Sequence, residues 1–281
     1  MKSVSPSIRY GINVPNFGDY HQPRVLADLA ASAEEAGWDG FFIWDHIEGE
    51  WPFCDPTVAL SAIALQTDRI KLGAMITPLP RRRPWKVARE MASLDHLSRG
   101  RVIMGVGLGN PPTEYSKFGE EPEARIRAEK LDESLDIITG LWSGEKFSYE
   151  GNHYRLEEVT FQPRPVQEPR IPIWVGGFWP NRPPFRRAAR YDGAYPAMNW
   201  PDALTTAHLK TLLVYIGKHR KAAGPYDVIV GGSTPGDPEK GAEMVSPWVE
   251  AGATWWSEDI NGWRGSLEEM RERIRQGPPR V

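Results

Sequence analysis

From Ile8 onward the chain alternates short apolar runs with longer amphipathic segments, and this alternation constrains the fold more than any other feature. A buried run followed by apolar positions three and four apart is the pattern of a strand feeding a helix, and its repetition predicts parallel strands joined by crossover helices. Ile8 to Pro15 reads as a strand, and Val25 to Ala36 as a helix with Leu26, Leu29, Ala30 and Ala33 on one face and Gly37 as its C-cap. Phe41 to Asp45 is the next strand; Asp55-Pro56 then opens a helix, as N-cap and N1, that runs to Gln66. Ile70 to Thr77 follows, then a helix from Pro84 with Val87, Met91, Leu94 and Leu97 inward, then Arg101 to Val106.

Arg125 to Trp142 reads as a long charged helix, after which the rhythm breaks. Residues 144–170 hold Tyr149-Glu150-Gly151-Asn152-His153-Tyr154, a hairpin-like turn, and then three prolines before the next apolar run; the segment is expected as an insertion between strands four and five, over the barrel top. Ile171 to Val175, Gly193 to Ala197, Asp227 to Gly231 and Thr254 to Ser257 supply four further strands. Helices are expected around Phe185 to Arg190, at Ala203 to Ala223, at Glu239 to Ala251 and from the capping box at Ser266-Leu267-Glu268-Glu269. Eight strands and about eight helices predict one (β/α)8 TIM-like barrel domain over residues 1–281. An open doubly wound sheet fits less well, because Asn16-Phe17-Gly18-Asp19 stands where its glycine-rich dinucleotide fingerprint would follow the first strand. The active site of a barrel lies in the loops after the strands.

Charge excludes some partners. Lys and Arg number 34 against 37 Asp and Glu, a net −3, so no global field draws in nucleic acid or an anionic membrane. The lone Cys54 cannot form an internal disulfide and suits a reducing compartment; Met1 to Pro6 shows no secretory apolar run, and the expected location is the cytoplasm. No HExxH, paired-histidine or Cys cluster indicates a metal, and no Walker lysine loop or G-x-S-x-G elbow is present.

Chemistry gathers at the predicted strand ends. Strand two ends in Trp44-Asp45-His46, an imidazole beside a carboxylate, suited to proton transfer near neutral pH; a histidine that merely caps the strand is the alternative. After strand three, Arg81, Arg82 and Arg83 could grip phosphate or carboxylate bidentately, or form a solvated face. Gly105-Val106-Gly107-Leu108-Gly109-Asn110 after strand four lets backbone approach a ligand closely, and Gly176-Gly177 before a helix could form an anion site from backbone N–H groups; tight turns would explain both as well. The profile is an organic ligand held by backbone and loops, with one acid/base histidine.

The run from Trp44-Asp45-His46 through LGAMITPLPRRRPWKVAREMASLDHLSRGRVIMGVGLG to RIPIWVGG resembles the luciferase-like flavin-dependent monooxygenase superfamily over most of Ile8 to Gly193. The resemblance implies a barrel binding coenzyme F-420 or FMN at its mouth, with His46 as proton donor or ring stabiliser and Asp45 in support. It further implies cofactor contacts at Asn13, Ala74, Met75, Thr77, Gly107, Gly109, Asn110, Gly176 and Gly177, with a non-proline cis peptide at Ala74-Met75. Thr77 would face the ring and Gly176-Gly177 would meet the phosphate. Trp51, Trp179 and Trp200 are expected to shape the substrate side.

Three functions follow from that resemblance. The first is a deazaflavin-dependent oxidoreductase moving hydride between coenzyme F-420 and a small organic substrate. The second is an FMN-dependent monooxygenase served by a partner flavin reductase, and the third a non-catalytic flavin-binding accessory protein. The family often forms homodimers.

Overall fold

The computed structural model describes residues 8–279 and 281; the expectation concerning Met1 to Pro6 lies outside them. Its strands are β1 (Arg9–Val14), β2 (Gly40–Ile43), β3 (Lys71–Ala74), β4 (Thr77–Pro78), β5 (Met104–Gly107), β6 (Lys146–Glu150), β7 (Arg155–Thr160), β8 (Ile173–Trp179), β9 (Gly193–Met198), β10 (Asp227–Gly232) and β11 (Trp255–Asp259). The helices are α1 (Pro23–Glu35), α2 (Pro56–Gln66), α3 (Pro84–Leu97), α4 (Thr113–Ser116), α5 (Ala124–Trp142), α6 (Arg182–Ala188), α7 (Thr206–His219), α8 (Pro238–Ala251) and α9 (Leu267–Arg275).

Nine strands pair in the order β3-β2-β1-β11-β10-β9-β8-β5-β4, every pairing parallel. β3 and β4 are two halves of one barrel strand, so the two ends of that order meet. Leu72 bridges Val102 in parallel, the Ile103 amide donates to the Leu72 carbonyl at 2.9 Å, and Thr77 pairs with Val106. The result is the expected eight-stranded α/β barrel.

Period-two alternation explains how the barrel fills. Phe41 packs outward with the helices, whereas Phe42 points inward with Met75, Ile103, Trp174, Ile229 and Trp255. These large rings need room: a Cβ on Gly11 or Gly40 would lie 2.7 Å from the Phe42 ring. The outer core is made by the inward stripes of the helices, including Leu26, Leu29 and Ala33 of α1 and Leu131, Leu135 and Ile138 of α5.

Helix starts follow their caps. Asp55 accepts from the Val58 amide at 3.0 Å, Ser266 and Glu269 form the capping box, and Gly252 ends α8 at φ 104°. The expected helix at Ala203 to Ala223 is shorter, because Thr205 caps it by accepting from the His208 amide and it ends at His219.

Residues 144–170 hold the antiparallel pair β6–β7, but not over the barrel top. The pair starts at the bottom, where α5 ends, and climbs the outer flank. Glu133 of α5 accepts from the amides of Asn152, His153 and Tyr154, and Trp85 and Arg89 of α3 meet Tyr154 and Phe161. Among the described residues no helix is long and apolar enough to cross a membrane.

Candidate active site

A cavity of about 550 Å³ opens at the C-terminal ends of the barrel strands, a size suited to an organic ligand. Its walls are mostly apolar, with a small number of polar groups from different strands.

His46 is placed by the chain just after β2. The Trp44 amide still donates to the Val14 carbonyl, at 2.9 Å, and the Asn16 side chain then holds the His46 backbone at both ends. Asn16 Oδ1 accepts from the His46 amide at 3.2 Å, and Asn16 Nδ2 donates to the His46 carbonyl at 2.8 Å. Phe17 and Trp44 meet the imidazole edge-on, with centroids 5.9 and 5.8 Å away. The side chain is 28% exposed, so a ligand in the cavity can reach it.

The carboxylate that touches His46 is Glu114, not its sequence neighbour Asp45. His46 Nδ1 lies 2.7 Å from Glu114 Oε1, while Arg81 donates to Glu114 Oε2 and, at 2.6 Å, to Asp45 Oδ1. Consecutive extended residues point to opposite sides, which sends the Asp45 carboxylate behind His46 toward Arg81 and Arg82. Asp45 therefore supports His46 through Arg81 and Glu114. Burial opposes ionisation of Glu114, but the His46 hydrogen bond and the charges of His46 and Arg81 outweigh it and hold its carboxyl below the usual range.

Arg81 is spent on these two carboxylates, Arg82 pairs with Glu90, and Arg83 is the exposed N-cap of α3. Arg81 and Arg82 thus order one side of the mouth, and none of the three arginines lines the cavity.

At the base of the cavity Asn13 and Tyr195 face each other. Asn13 Nδ2 lies 3.5 Å from the Tyr195 hydroxyl, and the Asn13 side chain also hydrogen-bonds Asp259. Asn13 lines the cavity, and its Oδ1 is buried with no hydrogen-bond partner among the described residues. Burial raises the Asp259 carboxyl to about 6, with the Glu258 charge adding to it and Asn13 and Arg264 pulling the other way. Burial, and then the Asp259 charge, raises the Tyr195 phenol above its usual range.

Of the residues singled out in the sequence, Asn13, Asp45, His46, Met75, Gly109, Asn110, Gly176 and Gly177 line this cavity. Ala74, Thr77 and Gly107 do not. Ala74 and Thr77 line a narrow recess behind the wall, beside Pro56, Leu60 and Met91, because alternation turns Ile76 and Pro78 toward the cavity instead. Gly107 is covered by Ile76, whose Cδ1 lies 2.3 Å from where a Gly107 Cβ would stand.

The non-proline cis bond is Met75-Ile76, one residue beyond the expected Ala74-Met75. The Met75 amide still donates to the Ile43 carbonyl at 2.8 Å, so the ladder continues past Ala74 and breaks only after Met75. Gly176 and Gly177 differ from expectation too. They lie inside β8, opposite Tyr195 and Pro196, rather than in a turn before a helix. α6 starts later with Arg182-Pro183-Pro184, and its prolines have no N–H to offer an anion. Trp179 is buried and Trp200 stands exposed, and neither lines the cavity.

Sequence reasoning missed Glu114, Ile76, Tyr195 and Asn181. Glu114 was the findable one: an acidic residue beside an aromatic one, seven residues past the glycine-ended strand β5, on the short α4.

Comparisons with known proteins bear on the fold and the family. An F420-dependent glucose-6-phosphate dehydrogenase of Nakamurella multipartita is 36% identical over 184 residues, covering 62% of this chain and 52% of that protein. The chain spans about half the length of the curated relatives it matches. Among solved structures, the monooxygenase RslO1 from Streptomyces bottropensis superposes with a TM-score of 0.78 at 21% identity, covering 96% of this chain and 97% of that one. An F420-dependent secondary alcohol dehydrogenase in complex with an F420–acetone adduct gives 0.81 at 16% identity, covering 97% and 98%. The family model described as luciferase-like monooxygenase matches residues 8–234, and the chain belongs to that family.

Proposed function

We propose that the chain, as one barrel domain over residues 1–281, is an oxidoreductase that binds coenzyme F-420 in the mouth cavity and acts on a small organic substrate. The observation that carries this reading is one cavity lined both by His46, whose Nδ1 is held by Glu114, and by Asn13, whose buried Oδ1 has no partner among the described residues. The curated relatives named as F420-dependent support the choice of cofactor.

The residues present fit such a group. The ring of a flavin-type cofactor carries an N–H flanked by carbonyls, and Asn13 Oδ1 offers a buried acceptor for a donor of that kind. Met75 and Ile76 would back the ring, and Gly109, Asn110, Gly176 and Gly177 would border it closely. Asn181 lines the cavity beside the exposed Arg182, on the rim where an anionic tail would leave. Bound there, the deazaflavin supplies hydride transfer.

The chain's own contribution is proton handling. With Nδ1 held by Glu114, His46 keeps Nε2, which has no partner among the described residues, free to pass a proton to or from the substrate. Arg81 fixes Glu114, and Asn16 fixes the backbone on which His46 turns. The same reading places the protein in the cytoplasm as a homodimer, without nucleic-acid or membrane partners; two-fold dimers are the commonest soluble assemblies.

Titrating the purified protein with coenzyme F-420 and with FMN tests the proposal. Tight deazaflavin binding with little response to FMN is expected. Tight FMN binding with none to the deazaflavin would move the assignment to an FMN-dependent monooxygenase served by a flavin reductase. Binding of either without turnover would leave the accessory role.

A further inference from the structure

Arg127 of α5 is buried, yet no carboxylate pairs with it among the described residues. Its partners are backbone and ring. One nitrogen, Nη1, donates to the Leu108 carbonyl at 3.1 Å and to the Gly109 carbonyl at 2.9 Å, and the guanidinium lies over the Tyr115 ring at 4.7 Å. A buried charge is costly unless something answers it. Here two peptide groups do, and they belong to the loop after β5 that walls the main cavity.

In a planar trans peptide the N–H points opposite to the C=O. The Leu108-Gly109 and Gly109-Asn110 bonds are both trans; the cis bond is the next one, Asn110-Pro111. With both carbonyls turned to the same nitrogen of Arg127, the Gly109 and Asn110 amides share the opposite side of the loop. An extended residue would alternate them, whereas Gly109, at φ 77°, allows both on one side. Gly109 and Asn110 line the cavity, and Arg127 and Tyr115 do not. Neither of the two amides has a hydrogen-bond partner among the described residues. Those of α4 are already engaged, since Glu114 and Tyr115 donate to the Pro111 and Pro112 carbonyls at 3.2 and 3.0 Å.

Tyr115 completes the arrangement. Its hydroxyl donates to the Leu108 carbonyl at 2.6 Å, so the short α4 holds this loop through Tyr115 and His46 through Glu114. A cation behind the two carbonyls polarises both peptides and strengthens their N–H groups as donors. Successive amides presented on one side make a concavity that favours negative charge.

We propose that the Gly109 and Asn110 amides form a two-donor subsite of the main cavity for an oxygen carrying negative charge, and that Arg127 and Tyr115 are the residues that position it. The oxygen would belong to the cofactor or to the substrate. Donors fixed in advance by Arg127 cost no reorganisation when charge develops on it. The subsite rests on the reading of the main cavity as the place where cofactor and substrate meet.

Amide NMR tests it, with the Gly109 and Asn110 resonances followed as coenzyme F-420 is added and then acetate, which stands in for a substrate oxyanion. The two amide protons are expected to move downfield together. Movement with coenzyme F-420 assigns the oxygen to the cofactor; movement only when acetate joins the loaded protein assigns it to the substrate. Arg127→Met, which keeps the bulk and removes the charge, should weaken the ligand that moves them by about tenfold, and Tyr115→Phe by about threefold. Amides that stay still with both ligands, or an affinity that neither substitution moves, overturns the proposal. If Arg127→Met does not fold, Tyr115→Phe decides alone. Failure of coenzyme F-420 to bind would count against the proposed function instead, and acetate added to the cofactor-free protein would still decide the subsite.

Discussion

Two buried ion clusters stand at the same end of the barrel and end differently. On one side Asp45 and Glu114 flank Arg81, and the cluster terminates in the part-exposed His46. On the other, Glu258 is fully buried between Arg264 and Arg273, with Thr234 and Trp256 donating to it, and no member lines the main cavity. The physics is shared: a carboxylate taken from water is tolerable only when paired and hydrogen-bonded. The first cluster delivers a proton-active group to a ligand space, and the second braces the loop that carries Trp263.

If that contrast holds, the second cluster should matter first for stability. Glu258→Ala leaves the buried Arg273 and the partly buried Arg264 without their carboxylate and should cost about 3–5 kcal/mol, read from the denaturant midpoint. A loss under about 1 kcal/mol, the level of an exposed pair, would show that the cluster braces nothing.

A smaller effect sharpens the boundary between the clusters and the ligand space. Asp259, next to Glu258, has its carboxyl pushed up from 3.8 to about 6, so the folded protein holds that proton more tightly than the unfolded chain. The stability this adds is complete below pH 3.8 and is lost as pH rises through about 6. Asp259→Asn should therefore gain on the parent across that window, by about 2–3 kcal/mol at pH 7, in denaturant melts taken from pH 4 to 8. A difference that stays flat with pH would contradict the burial argument.

The barrel was legible because it is written in local periodicity: each strand and helix announces itself within about fifteen residues, and the caps at Asp55 and Ser266 lie where their side chains indicate. The site was legible only in part. His46 could be found from its place after a strand, but its carboxylate partner is 68 residues away on a four-residue helix too short to show a period. Asp45 drew attention by adjacency, yet neighbours in an extended chain face opposite ways. Thr77 and Ile76 differ for the same reason: which of two adjacent residues faces the cavity depends on where the ladder breaks, and the Met75 amide, still bonded to Ile43, sets that point. Tyr195 and Asp259 meet Asn13 only because the barrel closes.

The central claim is that His46, held by Glu114, moves the proton in a reaction whose cofactor is bound by other residues. Replacing His46 by Ala and measuring turnover and deazaflavin affinity on the same preparation tests it most directly. The account predicts turnover reduced by roughly 10²–10⁴-fold with affinity nearly intact. Turnover at the parent rate, or affinity lost in step with it, would contradict the account and return His46 to a residue that shapes the cavity wall.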